Sequence, residues 1–122
     1  MRSVKTTLDF GNAYFLVPLL FVKAVETLKL SIRFFTTLRE ITGKREEHLE
    51  VETSHLRVKD VLDQLAEMHG REFKEYVYSE EGNVRDYLQL LVNGKSVRSM
   101  DQLDTLLKEG DQLAIVPPVG GG

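Results

Sequence analysis

The sequence predicts an α+β domain in which one mixed sheet of about five strands carries one main helix on one face. Three observations predict it. Several stretches alternate apolar and polar residues, one stretch repeats its apolar residues with helical period, and Asn93-Gly94 separates two short strands. The amphipathic helix is the main element available to bury the apolar side of the sheet, so it has to cover one face.

The first two strands are predicted as a hairpin. Apolar residues alternate with polar ones from Leu28 to Phe34, which indicates a strand with one buried face, and alternation resumes over residues 47–52. Between them Thr37 is a candidate N-cap and Gly43 a stop signal, so a single helical turn is expected there.

The main helix follows this hairpin and ends before Gly70. Its apolar residues, spaced for one face of a helix, are Val58, Val61, Leu62, Leu65 and Met68. Another turn of helix is expected around Phe73 and Tyr76.

The second half predicts three more strands. Residues 87–92 form one, Asn93-Gly94 turns the chain, and residues 95–98 return. Leu103, Leu106 and Leu107 indicate a short turn packed under a loop. The last strand covers residues 112–116.

Composition limits the classes of function. The chain has 122 residues, which predicts one domain, and its net charge of −3 argues against a nucleic-acid-binding protein. It contains no cysteine, so disulfides, thiolate metal sites and cysteine nucleophiles are excluded. This usage fits a cytoplasmic protein.

A metal or acid–base site has few candidates. The histidines are His48, His55 and His69, and the acidic pairs are Glu46-Glu47 and Glu80-Glu81. The histidines lack ligand spacing and are interpreted as surface or helix-cap residues, so no metal site is predicted. Neighbours on a strand face opposite ways, so both acidic pairs are interpreted as solvated turns rather than as acid–base catalysts.

Residues 1–27 differ from the rest and are interpreted as an N-terminal extension. Their apolar run, residues 13–22, is too short for a membrane span, is interrupted by Pro18 and lacks a clear cleavage site. Three interpretations stay open: an added leader packed loosely on the domain, an extra strand or helix covering a surface, or an export signal. Residues 28–119 would then form the domain and residues 120–122 a flexible tail.

The chain ends in a stiff stalk and a thin tip. Pro117 and Pro118 fix φ and remove two backbone donors, so the last strand cannot continue past Val116. Gly120, Gly121 and Gly122 follow, and a backbone without Cβ can enter a narrow channel. The alternatives are a frayed terminus or an addition made for expression.

This ending resembles that of a known family. Val116-Pro-Pro-Val-Gly-Gly-Gly122 is similar to the terminus of the ubiquitin-like sulfur carriers that serve as the small subunit of molybdopterin synthase, although Gly120 occupies a position that is not usually glycine there. Residues 32–43 and 110–118 resemble the opening and closing strands of that family. The resemblance implies the β-grasp fold, with the first and last strands parallel at the centre of the sheet.

The resemblance also implies chemistry at the carboxylate of Gly122. A carboxylate is a poor acyl donor, and no ATP-binding motif is visible, so ATP and a sulfur donor would act through a partner and no cofactor would be bound. The implied partners are an adenylating enzyme of the ubiquitin-activating type and the large subunit of molybdopterin synthase; no nucleic acid or membrane partner is expected. The thiocarboxylate formed on Gly122 would donate sulfur to the molybdopterin dithiolene, and the catalytic side chains would lie on the partners.

Two rival functions remain at this point. A related carrier or modifier would use the same carboxylate for tRNA thiolation or for attachment to lysines. A non-covalent ubiquitin-like interaction module would not need the last two glycines.

Alternation along the strands predicts a docking face. Where Leu30, Ile32 and Phe34 face the helix, the outward residues Phe35, Leu91 and Val116 form an apolar patch beside the root of the tail. With Pro117 and Pro118 they are the predicted partner-binding residues. The extension is expected to lie on this face and to compete with partners for it.

Overall fold

The fold was determined as a computed structural model, which describes residues 6–10, 13–17 and 26–118. The strands are β1 (Thr6–Phe10), β2 (Ala13–Val17), β3 (Thr27–Phe34), β4 (Glu46–Glu52), β5 (Leu56–Arg57), β6 (Gln89–Val92), β7 (Lys95–Ser96), β8 (Leu106–Leu107) and β9 (Gln112–Val116). The helices are α1 (Thr37–Thr42), α2 (Val58–His69) and α3 (Arg71–Val77), with 3-10 turns at Val97–Ser99 and Gln102–Asp104.

The main sheet has five strands in the order β4-β3-β9-β6-β7. The first and last of them along the chain, β3 and β9, are parallel neighbours, with Ser31 level with Gln112 and Phe34 level with Ile115. All other neighbours in this sheet are antiparallel. This arrangement confirms the predicted mixed sheet and puts the strand that leads into the tail at its centre.

The core lies between one face of the sheet and α2. Along β3 the exposure alternates strictly, so Ile32 and Phe34 are 0% and 1% exposed and the residues between them face away. Opposite them, Val61, Leu62 and Leu65 of α2 are all fully buried. Burying each such side chain contributes about 1.5–3 kcal/mol, so this contact fixes which face of every strand looks inward.

The turn between β6 and β7 forms at Asn93-Gly94, as the sequence predicted. Asn93 and Gly94 have φ of 51° and 86°, the left-handed values that a two-residue hairpin turn requires. The Asn93 side chain also donates to Asp111 Oδ1 at 2.8 Å and accepts from the backbone N–H of Gln112 at 3.0 Å. The turn is thereby tied to the start of β9.

Several predicted boundaries were wrong by one or more residues. The predicted strand over residues 87–92 begins at Gln89, and the return strand ends at Ser96 and becomes a 3-10 turn. Thr36, not Thr37, precedes α1, and its side chain makes no capping hydrogen bond. These shifts arise because packing, more than local propensity, determines where an element ends.

The segment that contains Leu106 and Leu107 was predicted as a turn and is partly a strand. These two residues pair antiparallel with Arg57 and Leu56, forming a two-stranded sheet outside the main one. The pairing links sequence positions about fifty residues apart, which no local pattern indicates. Leu56 and Leu107 are both buried by it.

Glu47 corrects the interpretation of the acidic pair Glu46-Glu47 as solvated. Glu47 lies on the inner face of β4 and is 7% exposed, whereas Glu46 faces solvent. Its carboxylate contacts His69 Nε2 at 2.7 Å and Lys44 Nζ at 3.3 Å. His69 is therefore a partly buried residue packed against Phe34 and Phe73, not a free surface residue.

Residues 6–10 and 13–17 of the N-terminal extension form a hairpin, whereas Thr27 is the first residue of β3. Thr6 of β1 lies opposite Val17 of β2, and Phe10 lies opposite Ala13. An isolated hairpin is only marginally stable in water, so it has to pack against another surface. Its position over the open face of the main sheet stays a prediction.

Candidate functional site: the open sheet face and the root of the tail

The face of the main sheet turned away from α2 carries the predicted docking residues. Leu91 lies opposite Ala114, and Gln89 lies opposite Val116, so Leu91 and Val116 are diagonal neighbours on one face. Leu91, Val116 and Phe35 are each partly buried rather than exposed or enclosed. Ala114 between them is 9% exposed and lies on the face turned away from α2. The face thus has an apolar centre that remains accessible at its edges.

Phe35 directly follows β3 and lies on the same outer face. The Arg33 guanidinium carbon is 5.7 Å from the centroid of the Phe35 ring, a contact between residues i and i+2 that requires both side chains on one side of the strand. Arg39 approaches the same ring at 5.8 Å. Its Nε donates to the Phe34 carbonyl at 3.2 Å, which holds the guanidinium in place. Two cations therefore lie close to the ring.

The backbone after Phe35 turns sharply. Thr36 has a φ of 41°, an unusual value for a β-branched residue. The turn is closed by the Leu38 N–H, which donates to the Phe35 carbonyl at 3.0 Å, and Leu38 is buried beneath it. The strained residue therefore holds Phe35 at the end of β3 while the chain turns back into the core.

The stalk begins where β9 ends. Pro117 and Pro118 are partly buried and have no strand pairing. Because they lack backbone donors, the ladder between β9 and β6 cannot extend beyond Val116. The other predicted tail residues, Gly120, Gly121 and Gly122, lie outside the described residues. The described chain thus brings the roots of the tail and the docking residues together at one end of the sheet.

The sequence interpretation missed Ala114, Arg33 and Arg39 as members of this face. Arg33 and Phe35 share a face by strand alternation, and so do Ala114 and Val116, so two of the three were accessible to the same argument. Arg39 was not, because its position depends on how α1 folds back after the turn at Thr36.

A second depression lies on the opposite, helical side of the molecule. It has a volume of about 850 Å³ and lies between α2 and the segment after α3. In it the Tyr78 hydroxyl donates to Asp63 Oδ1 at 2.6 Å. Burial, and then this hydrogen bond, raises the pKa of Tyr78. The groove is wide open and its charges are mixed, so it is a weaker candidate for a binding site than the open sheet face.

Within the described residues, no group of three or more His, Cys, Asp or Glu side chains is placed to hold a metal ion. No helix in the described part of the chain is long and apolar enough to cross a membrane.

The mixed sheet with parallel central strands, the single covering helix and the stalk that leaves the central strand define a ubiquitin-like protein with the β-grasp fold. Comparison with known families identifies a narrower class than the fold does. Residues 32–122 match the ThiS family, and the chain belongs to this family of ubiquitin-like sulfur carriers and modifiers.

Two relatives are similar over most of their own length. Small archaeal modifier protein 3 of Haloferax volcanii is 35% identical over 96 residues, which cover 78% of this chain and 100% of that protein. A putative sulfur carrier protein of Archaeoglobus fulgidus is 31% identical over 74 residues, covering 61% of this chain and 83% of that protein.

Solved structures share the fold. The crystal structure of small archaeal modifier protein 1 of Haloferax volcanii has a TM-score of 0.67 at 30% identity, covering 77% of this chain and 99% of that one. A putative molybdopterin converting factor, subunit 1, of Pyrococcus furiosus has a TM-score of 0.60 at 30% identity, covering 75% and 99%. A chain of the BexX/CysO complex of Amycolatopsis orientalis has a TM-score of 0.59 at 29% identity, covering 76% and 99%.

Proposed function

We propose that this chain is a sulfur carrier that works through its C-terminal carboxylate on Gly122. A partner enzyme of the ubiquitin-activating type joins that carboxylate to AMP from ATP, releasing pyrophosphate. A hydrosulfide equivalent from a sulfur donor then attacks the carbonyl carbon; the new C–S bond replaces the C–O bond to AMP, and AMP leaves. The product is a thiocarboxylate on Gly122.

The observation that supports this proposal most is the junction at Val116. The central strand of the sheet leads directly into a Pro-Pro stalk, and an accessible apolar face surrounds the point of exit. A partner that docks on Phe35, Leu91 and Val116 receives the tail in a fixed direction, because prolines keep the stalk extended. Recognition of a chain's terminal carboxylate is an established mode of peptide binding.

The proposed destination of the sulfur is the dithiolene of molybdopterin, made in the large subunit of molybdopterin synthase. Likeness to the Pyrococcus furiosus protein, named as a putative molybdopterin converting factor subunit, supports this destination. The BexX/CysO complex supports the more general idea that such carriers act together with a second protein.

A second candidate is attachment of the Gly122 carboxylate to lysine side chains of other proteins. Similarity to two small archaeal modifier proteins favours it, since one is 35% identical over its whole length. Both candidates begin with the same acyl-adenylate and differ only in the nucleophile that displaces AMP. Deleting Gly121 and Gly122 distinguishes their consequences: the first predicts loss of molybdoenzyme activity, and the second predicts loss of conjugates.

The adenylation step is tested by extending the tail. One bulky residue added after Gly122 should abolish ATP–pyrophosphate exchange by the partner enzyme, because the side chain cannot enter a channel shaped for glycine. The melting temperature should not change. A matched control inserts the same residue between Glu80 and Glu81, in an exposed turn, a kind of site at which insertions are usually tolerated. Normal exchange with the extended tail would overturn the proposal.

A further inference from the structure

The two arginines that flank Phe35 carry an inference about the partner. Arg33 is exposed and Arg39 partly buried, and both guanidinium groups lie within 6 Å of the ring centroid, at 5.7 and 5.8 Å. They come from different elements, β3 and α1. Both guanidinium groups therefore lie against Phe35, an aromatic side chain of the predicted docking face.

Neither arginine is used in an ion pair within the described part of the chain. Other arginines are: Arg57 contacts two aspartates, and Arg71 contacts Glu75 at 3.0 Å. Arg39 donates only its Nε, to the Phe34 carbonyl. Glu46 lies opposite Arg33 in the register of β3 and β4, yet the two form no ion pair.

Among the described residues, most of the hydrogen-bond donors on these two groups thus have no partner and can bind a second protein. A guanidinium carries five N–H donors in a planar fork that matches a carboxylate. Stacking on an aromatic ring orients that fork without using its donors. The positive charge of these two arginines also contrasts with the net charge of the whole chain, which is −3. A local pair of unpaired cations beside an apolar centre is the composition of an interface hot spot.

We infer that the adenylating partner presents carboxylate side chains around the pocket that receives Phe35, and that Arg33 and Arg39 bind them. This inference rests on the proposed adenylation and adds the chemistry of the partner's surface. An acidic rim around an apolar pocket would also repel other proteins that carry positive charge there, so the pair contributes specificity as well as affinity.

Charge complementarity of this kind acts mainly on the association rate and is sensitive to salt. For the full chain with two charges removed, Arg33→Gln/Arg39→Gln, we expect association with the adenylating enzyme to slow about tenfold at low ionic strength. At high ionic strength the difference from the unchanged protein should shrink to less than about twofold, because the field of both proteins is screened.

The experiment measures stopped-flow association rates at two salt concentrations, together with ATP–pyrophosphate exchange. The matched control is Arg71→Gln/Lys74→Gln, which removes the same charge from α3 on the helical side of the sheet and should change the rate less than about twofold. An equal effect of the two double variants, or no effect of the first, would overturn the inference. Failure of the unchanged protein to support exchange would instead overturn the proposed function.

A third variant distinguishes the effect of the positive charge from that of the guanidinium shape. It also provides a test that does not depend on the glutamine variant keeping its fold. Arg33→Lys/Arg39→Lys keeps both charges but not the planar fork. It should associate at nearly the unchanged rate and dissociate faster by about tenfold or more, because the paired hydrogen bonds to the carboxylates are lost. Unchanged dissociation with this variant would contradict binding of carboxylates by the two arginines.

Discussion

The two faces of the main sheet are built from the same strands and have opposite properties. On the inner face Ile32, Phe34 and Ile115 are 0–1% exposed. On the outer face Phe35, Leu91 and Val116 are only partly buried. Adjacent residues on a strand point to opposite faces. The same alternation along the sequence therefore determines which residues are buried on the inner face and which are partly buried on the outer face. The inner residues stabilise the fold, whereas the outer ones, in the proposed function, are available to contact a partner.

The comparison also separates two roles for charge. The inner face contains a buried carboxylate, Glu47, which is satisfied by His69 and Lys44. The outer face holds two arginines around Phe35 that have no such partners in the described residues. A charge that is paired internally stabilises one conformation; an unpaired one at an apolar patch is available for recognition.

The largest expected effect is a loss of stability from the inner face. Ile115→Ala should lower the free energy of unfolding by about 2–5 kcal/mol, because it removes apolar contacts and leaves a cavity. The neighbouring Val116→Ala, on the outer face, should cost less than about 1 kcal/mol. Denaturant unfolding of both variants measures this difference. Equal losses would show that the outer face is part of the core.

Phe35→Ala should show the reverse pattern. Truncating an aromatic side chain at the centre of an interface commonly costs about 2 kcal/mol or more in binding. Its effect on the free energy of unfolding should stay within about 1–2 kcal/mol, because the ring is only partly buried and each cation–π contact contributes about 0.5–1 kcal/mol. Calorimetric titration with the adenylating enzyme and thermal unfolding measure the two quantities. A large fall in melting temperature with unchanged affinity would assign Phe35 to the core.

The acidic pair on β4, Glu46 and Glu47, tests the comparison of the two faces, because these adjacent residues lie on opposite faces. Glu47→Ala should destabilise the protein by about 1–3 kcal/mol, because His69 loses its 2.7 Å partner in a partly buried site. Glu46→Ala, one residue away on the outer face, should change stability by less than about 0.5 kcal/mol. Urea unfolding at neutral pH measures both. Similar values would contradict the assignment of the two residues to opposite faces.

The smallest effect is expected at the start of α2, on neither face. The Arg57 backbone N–H donates to Asp60 Oδ2 at 2.9 Å, and this bond lowers the pKa of Asp60 against the opposing effect of burial. Asp60→Asn should cost about 1 kcal/mol at neutral pH. A lowered pKa stabilises the fold above the ordinary value of 3.8 and ceases to do so as the pH falls through the lowered value.

The difference in unfolding free energy between this variant and the unchanged chain should therefore shrink below pH 3.8. At every pH the variant should bind its partner as tightly as the unchanged chain does. A difference in affinity between the two chains that appears on acidification would mean that this helix end contributes to the interface.

Most of the fold was predictable because its signals are local and periodic. Alternation from Leu28 to Phe34 and the helical spacing from Val58 onward determined the inner face, and Asn93-Gly94 determined a turn. Pairing of β5 with β8 was not predictable in this way, since it joins distant segments of two residues each.

The residues of the site also fall into two groups, those that a local pattern predicts and those that it does not. Phe35, Leu91 and Val116 follow from strand parity, whereas Arg39 reaches Phe35 only because the chain reverses at Thr36, whose φ of 41° no sequence pattern indicates. Burial of Glu47 was missed for a different reason. Its parity with Leu49 already placed it on the inner face, but its charge favoured a solvated interpretation until His69 and Lys44 were seen to satisfy it.

The most direct test of the account is the mass of the C-terminal peptide of the protein purified from its native cells. The account predicts a form in which one oxygen of the Gly122 carboxylate is replaced by sulfur. That form should disappear when the adenylating enzyme is deleted. A terminal peptide found only as the free acid, or only as a remnant joined to lysine, would contradict the sulfur-carrier function, and the lysine remnant would assign the chain to protein modification.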